Sequence, residues 1–408
     1  MSAVVVIGAG AAGLMCAAKC ALNGHSVTVI EKMNRPGRKL GISGKGRCNL
    51  TNAVYDLDEL IENVPTNPRF LYSAFSHFMP YDTMELFESL GVPLKVERGN
   101  RVFPVSDRAA DIVDALVGYA KTNGVKIING RAVSFDYDGS RINAVILESG
   151  ERIACDFAVL ATGGKSYPAT GSTGDGYALA KSVGHTVTEI KPSLVPLICN
   201  DAFIPELQGL SLKNIAIKLY ENGRVIYTDF GEMLFTHSGV SGPVILSASS
   251  HIRSIGKAEY ALEIDLKPAL DEPTLDKRVQ RDFAEQSNKD FINSLSKLLP
   301  KKLIPVIVSL SSVEPDEKVN GITREKRLEL VRLLKHFRLN VKALGSIDEA
   351  IVTCGGVSVK EIEPKTMKSK IADNLFFAGE IIDVDAYTGG FNLQIAFSTA
   401  ALCADSIK

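Results

Sequence analysis

The chain has 408 residues, more than one hydrophobic core usually spans, so two or three domains are expected. It is 45% hydrophobic and 23% charged, and its net charge of −1 excludes a bulk electrostatic attraction to nucleic acid or to an acidic membrane. The opening residues lack the basic start of a signal peptide, no apolar run is long enough to cross a bilayer, and the seven cysteines form no Cys-x-x-Cys pair; a cytoplasmic protein with free, buried, reduced thiols and no metal site is expected.

Residues 4–7 are a β-branched run that stops at Gly8, residues 14–22 are alanine-rich and end near Asn23-Gly24, and residues 27–30 are a second β-branched run ending at Glu31. This is a β-α-β unit, and Gly8-Ala9-Gly10-Ala11-Ala12-Gly13 stands between its first strand and its helix, the context that makes G-x-G-x-x-G a dinucleotide fingerprint. Gly8 permits the tight turn, Gly10 lets a pyrophosphate approach the backbone, and Gly13 lets the helix pack close to the sheet. The helix start offers free N–H groups and a partial positive charge, and Glu31 offers acceptors to a ribose. By itself the fingerprint fits FAD or NAD.

Residues 35–52, rich in Gly, Arg, Lys and Asn, read as an ordered loop long enough to suspect a ligand. Residues 55–90 have helical spacing, and Ser106-Asp107 suits the start of a helix running to about residue 121. Residues 126–128 are a strand candidate. Residues 132–137 and 142–147 flank Asp138-Gly139 as a hairpin, and Ser149-Gly150 turns into 152–153, making a β-meander. Residues 157–160 read as a buried strand closed by Ala161-Thr162-Gly163-Gly164. From about 191 the pattern is antiparallel β, with a hairpin at Asn222-Gly223. Residues 272–340 read as charged helices broken at Pro300 and Pro305. From 346 the chain is glycine-rich again, with a strand at 375–378 ending in Gly379-Glu380 and a last helix over 393–407.

The later elements separate FAD from NAD. The meander, the buried strand and Thr162-Gly163-Gly164 resemble the second part of two-dinucleotide-binding-domain flavoproteins, where that segment closes over the dinucleotide. Residues 375–380 resemble their last FAD motif, which puts an acidic residue, here Glu380, beside the ribityl-phosphate region. Residues 37–40, Ser43 through Asn52, 101–104, Thr173-Gly174-Asp175-Gly176, 235–243 and 379–394 together resemble one bacterial family over essentially the full chain, the NAD(P)/FAD-dependent oxidoreductases of the BaiN type with aminoacetone-oxidase-like members. One departure is Ala386, where the family pattern suggests glycine.

The resemblance implies an α/β fold: a Rossmann-like FAD-binding domain assembled from both ends of the chain, residues 1–190 and 346–408, around an inserted antiparallel β-barrel-like domain, 191–345, with its barrel in 191–270 and a helical subdomain in 271–340. It implies that Ala12, Lys32 and Val133 join the fingerprint residues at the cofactor. Gly37, Arg38, Lys39, Gly44, Gly46, Arg47, Cys48 and Asn49 would come from the 37–52 loop, with Gly379, Gly390, Asn392 and Leu393 from the carboxy-terminal end. The N–H groups of Asn392, Leu393 and Gln394 would face flavin N1 and O2 and stabilise reduced flavin. The cations of the loop serve a pyrophosphate or an anionic substrate, or else form a solvated basic face; Cys48 is read as inert rather than redox-active.

The expected function is an FAD-dependent oxidoreductase passing hydride between flavin N5 and a small organic substrate, with NAD(P)H as a transient donor or oxygen as acceptor. No second fingerprint follows a strand, so no resident nicotinamide domain is expected. His237, ahead of Pro243 at a helix start, and Tyr387, beside Asp383 and Asp385, are the candidate proton donors; a lone His is also a common structural residue. The competing readings are a flavin-dependent RNA-modifying protein and a flavin sensor without turnover. No nucleic acid or membrane partner is expected, and the sequence sets no oligomeric state.

Overall fold

A computed structural model describes residues 1–408. The chain divides into one unit of residues 1–193 and 346–408 and another of residues 194–345. The first unit opens with β1 (Ala3–Ile7), α1 (Ala11–Leu22) and β2 (Ser26–Glu31). The 35–52 stretch is more ordered than a loop: Gly37, at φ 70°, starts a short helix α2 (Arg38–Ile42), and the stretch ends in β3 (Thr51–Asn52). Residues 55–90 are three short helices, α3 (Leu57–Glu62), α4 (Tyr72–His77) and α5 (Pro80–Ser89), with Pro80 at the first position of α5. Next come β4 (Leu94–Glu97), β5 (Arg101–Pro104) and α6 (Ala109–Thr122). Ser106-Asp107 does not cap α6. Asp107 has φ 56° and spends its carboxylate on Arg47 and Lys95, so Arg108 precedes the helix without a side-chain cap.

β6 (Lys126–Asn129) is followed by the meander β7 (Ala132–Tyr137), β8 (Ile142–Leu147) and β9 (Arg152–Ala154), then by β10 (Phe157–Leu160), α7 (Asp175–Ser182) and β11 (Lys191–Ser193).

The second unit holds β12 (Leu197–Cys199), α8 (Ile204–Leu207), β13 (Ser211–Glu221), β14 (Arg224–Phe235), β15 (Gly239–Ser241), α9 (Pro243–Ser249) and β16 (Tyr260–Asp265). After α10 (Glu272–Ala284), α11 (Phe291–Ser294), α12 (Ile304–Leu310) and α13 (Arg324–Lys335) comes β17 (Phe337–Leu344). The six strands close into a barrel in the order β12-β15-β14-β13-β16-β17. Two expectations need correction here. The helical stretch ends at Lys335, because Phe337, Leu339 and Val341 are buried at a period of two and complete the barrel. Pro305 does not break a helix but lies in the first turn of α12, where its missing N–H would have no intrahelical partner.

The chain re-enters the first unit through β18 (Val352–Cys354), then forms β19 (Leu375–Phe377) and α14 (Phe391–Ser406). The main sheet runs β19-β10-β1-β2-β6 with every pairing parallel. Its central Val-rich strands are buried, as strands covered on both faces must be. α1 presents Gly, Ala and Cys, and these small residues let it pack closely against α14. All the parallel strands that matter below end at one edge, where β1, β2, β10 and β19 deliver Gly8, Glu31, Ala161 and Ala378. In open parallel sheets that edge is where ligands bind.

Candidate functional site

A cleft with about 1450 Å³ of empty space, its open mouth included, lies along this edge. Its floor is the fingerprint turn. Gly8 has φ 103°, and a Cβ there would stand 2.6 Å from Ala161 O; one on Gly13 would stand 1.8 Å from Gly8 O. Only glycine lets α1 and β10 meet the turn this closely. Gly10 differs: it lines the cleft, and a Cβ there meets no protein atom within 4 Å. Gly10 is the uncapped N-cap of α1, and the first intrahelical bond runs from Leu14 N to Gly10 O at 3.0 Å. The amides of Ala11, Ala12 and Gly13 therefore lack intrahelical acceptors beside an open space, an arrangement that favours an anion. At the end of β2, Glu31 is held by two amides: Ala9 N donates to Oε2 and Met33 N to Oε1, both at 2.8 Å.

Two charged groups brace the walls. Lys39 donates to Glu380 at 2.7 and 3.0 Å and to Ser166 Oγ at 2.7 Å, while Thr353 N donates to Glu380 Oε1 at 2.9 Å. Burial works against the charged form of Glu380, yet the Lys39 ammonium and the amides of Thr353 and Gly164 outweigh it and hold the carboxyl below its ordinary range. Near Glu31, Asp175 accepts from Lys32 at 2.8 Å and from both ends of the Arg131 fork at 3.1 and 3.2 Å. Desolvation is again the largest single influence and again loses, here to Arg131 and Lys32, and the Asp175 carboxyl falls to about 2.

The start of α14 also borders the cleft. Asn392 and Leu393 line the cleft. The N-cap, Gly390, has φ 101° and no side chain to cap the helix, so the first-turn amides are open. A Cβ on Gly390 would lie 2.3 Å from Thr51 C, which explains the glycine by close approach to β3. The side chain of Asn392 faces its own chain: it accepts from Ala386 N at 3.0 Å and donates to Ala386 O at 2.7 Å and Tyr387 O at 3.3 Å.

Of the residues singled out from the sequence, Gly8, Gly10, Ala12, Glu31, Lys32, Gly37, Arg38, Lys39, Thr162, Gly163, Glu380, Asn392 and Leu393 line this one cleft. Gly13, Gly164 and Gly379 are outside the lining but next in the chain to Ala12, Gly163 and Glu380, which belong to it, and Gly390 is the N-cap of α14. Gly44, Gly46, Arg47, Cys48 and Asn49 are outside the lining. The Arg47 guanidinium is taken by Glu97 and Asp107 and lies 4.2 Å from the centre of the Phe103 ring. Cys48 is fully buried, and burial pushes its thiol up to about 12. Val133 is exposed on β7, whereas its neighbours Arg131 and Ala132 line the cleft. Tyr387 is half-buried beside the start of α14, its N donating to Asn63 O at 2.9 Å. His237 is exposed in the β14–β15 turn of the second unit, and α9 behind it has only 7 residues. Sequence reasoning missed Arg131, Ser166 and Thr353: each is an ordinary residue type in an ordinary run, and only the tertiary pairing makes it part of the site.

The donor set suits an anionic nucleotide. Two uncapped helix starts border the cleft, a carboxylate stands at the end of β2, and Thr162 Oγ1, in the cleft wall, is buried without a partner.

The family described as HI0933-like protein Rossmann domain matches residues 2–406. The chain is 31% identical over 410 residues to a 3-dehydro-bile acid delta(4,6)-reductase of Clostridium scindens, covering 98% of each. It is 33% identical over 409 residues to a ribosomal RNA dihydrouridine synthase of Haemophilus influenzae, covering 99% of this chain and 98% of the relative. Among solved structures, the 3-ketosteroid delta1-dehydrogenase of Sterolibacterium denitrificans with 1,4-androstadiene-3,17-dione superposes with a TM-score of 0.51 at 12% identity and 99% coverage of both chains, a likeness of fold alone.

Proposed function

The chain belongs to the HI0933-like family of flavoprotein oxidoreductases, and from that premise we propose that its cleft holds FAD and that it adds hydride to a carbon–carbon double bond conjugated to a carbonyl, or takes hydride from the saturated counterpart in the reverse direction. The observation that carries the first half is the pair of uncapped helix starts, α1 and α14, that border a single cleft together with Glu31. The second half rests on the two full-length relatives. Their names describe one chemistry on two substrates: saturation of ring double bonds in a 3-oxo steroid acid and saturation of the ring double bond of uridine.

Bound FAD supplies a hydride donor and acceptor at N5. The α1 amides take the pyrophosphate charge, Glu31 the adenosine ribose, and Lys39 with Glu380 the middle of the chain. The α14 amides favour negative charge at the far end. Addition of hydride to a conjugated double bond leaves negative charge on the carbonyl oxygen, so the substrate needs a hydrogen-bond donor there and a proton at the neighbouring carbon. We assign the proton to Tyr387, whose loop is pinned to α14 by Asn392. NAD(P)H acts as a visiting donor, since the cleft has one fingerprint, and oxygen as an alternative acceptor. Seven free thiols suit a reducing compartment, the cytoplasm.

The substrate is a small organic enone under this reading, consistent with the net charge of −1. A second reading, an RNA substrate, is favoured by the ribosomal RNA dihydrouridine synthase at 33% identity. The test starts with the visible spectrum and the released cofactor. Anaerobic NADH or NADPH should bleach the flavin, and a steroid enone, but not an isolated alkene, should restore its colour. Restoration by ribosomal RNA alone, lost as salt rises, establishes the second reading. Folded, colourless protein that refuses added FAD refutes both.

A further inference from the structure

Behind the start of α14 lies a buried amide with every polar atom in use. Gln394, fully buried, accepts at Oε1 from Thr51 Oγ1 at 2.6 Å and from Thr83 Oγ1 at 2.8 Å. Its Nε2 donates to Phe78 O at 3.0 Å and to Ser398 Oγ at 2.9 Å, and Ser398 Oγ also donates to Phe78 O at 2.6 Å. One side chain thus ties α14 to three other places: β3, the end of α4 and the first turn of α5. Gln394 N also makes the first intrahelical bond of α14, to Gly390 O at 3.0 Å. The residues on either side of it, Asn392 and Leu393 before and Ile395 and Ala396 after, line the cleft.

A buried amide is costly unless satisfied, and a merely adhesive core position is filled more cheaply by an apolar side chain. What four hydrogen bonds in a plane supply that an apolar contact does not is direction. Ridges of apolar side chains leave a helix free to slide or turn slightly, whereas this amide fixes both the axial position and the rotation of α14. The neighbouring contacts agree: Gly390 rests on the Thr51 backbone, and Asn52 Nδ2 donates to Gly389 O at 3.0 Å.

We infer that Gln394 is the positioning residue that aims the open amides of α14 at the flavin and thereby sets its reduction potential. The inference rests on the cleft holding FAD. Reduction of oxidised flavin by two electrons and one proton leaves a negative charge on the ring. Amides held in line stabilise that charge over the neutral oxidised form, and amides that swing do so less.

The test compares Gln394→Met, of similar volume without polar atoms, with Thr83→Val, which removes one donor to Oε1 and keeps the shape. Leu116→Ala, in the core contact of α6, controls for loss of stability. Each protein is loaded with FAD, and its two-electron potential is measured by equilibration with a reference dye alongside its melting temperature. Gln394→Met is expected to bind FAD and to disfavour reduction about tenfold, ~30 mV for a two-electron couple. Thr83→Val should shift the potential in the same direction by less, and Leu116→Ala should lower the melting temperature without moving the potential. If Gln394→Met does not fold, Thr83→Val decides. Unchanged potentials in the network variants, whatever happens to their melting temperatures, overturn the inference and leave Gln394 a structural residue. A wild-type protein that takes up no flavin defeats the cleft reading itself, and this inference with it.

Discussion

Gly10 and Gly13 stand three residues apart in one motif, yet adding a methyl group to each should do opposite things. At Gly10 the backbone has φ −81° and ψ −168°, open to any residue, and the added Cβ touches no protein atom within 4 Å. Alanine is a poorer N-cap than glycine, so Gly10→Ala should cost the fold less than ~1 kcal/mol. The same methyl group would occupy the space in which a pyrophosphate meets the Ala11, Ala12 and Gly13 amides. Loss of one charge-assisted hydrogen bond, worth ~1.5–3 kcal/mol, weakens FAD binding by roughly 10- to 100-fold, and loss of two by more. At Gly13 the Cβ would stand 1.8 Å from Gly8 O, a backbone atom that cannot swing away. Gly13→Ala must lift α1 from the turn, at a cost of ~1–3 kcal/mol or more. Thermal melts of the flavin-free proteins and FAD titrations followed by flavin fluorescence separate the two effects. If Gly10→Ala binds FAD as tightly as wild type in a folded protein, the phosphate does not lie at the start of α1, and the cleft has been read wrongly.

Glu31→Gln keeps the size of a side chain that accepts from two amides, but turns one of its acceptor oxygens into a donor. Roughly tenfold weaker FAD binding and a stability loss of ~1–3 kcal/mol are expected, measured by the same titration and melt. The Asp175 carboxyl, lowered to about 2, contributes stability that is present above the ordinary aspartate range and is lost as pH falls through that range toward 2; melting temperature against pH should show this acid limb, at most ~2 kcal/mol, and Asp175→Asn should flatten it. Native protein should react slowly with a thiol reagent at Cys199 and Cys354, which are partly exposed, and not at the five buried cysteines, whereas all seven should react after denaturation. Fast native labelling of Cys48 would contradict its placement.

The nucleotide half of the site was legible because its determinants are local. A turn, a helix start and a carboxylate at the end of the next strand all lie within residues 8–31, and each carries its reason in its own residue type. The same holds for the hairpin at Asp138-Gly139 and the buried strand before Ala161. The 37–52 segment was harder. Its basic residues look alike in sequence, but Lys39 turns to Glu380 in the cleft while Arg47 is captured by Glu97 and Asp107 outside it, and only partners distant in the chain decide between these fates. Strand β17 was hidden for another reason: Phe337 also fits the helical spacing of the residues before it, and the change of period begins at that residue. Ala386 shows the reverse case. The family pattern suggests glycine there, yet its φ is not positive, and Asn392 holds its N–H and C=O by side-chain hydrogen bonds, so alanine fits.

β11 and β18 lie side by side, with Ser193 opposite Val352, and they are the last strand before the barrel unit and the first after it. A chain that departs and returns through neighbouring antiparallel strands interrupts nothing in the parallel sheet. Residues 194–345 can therefore be lengthened, reshaped or exchanged without re-registering a strand of the nucleotide cleft. A lineage built on this plan can rework its barrel unit while the order and register of the parallel sheet stay as they are.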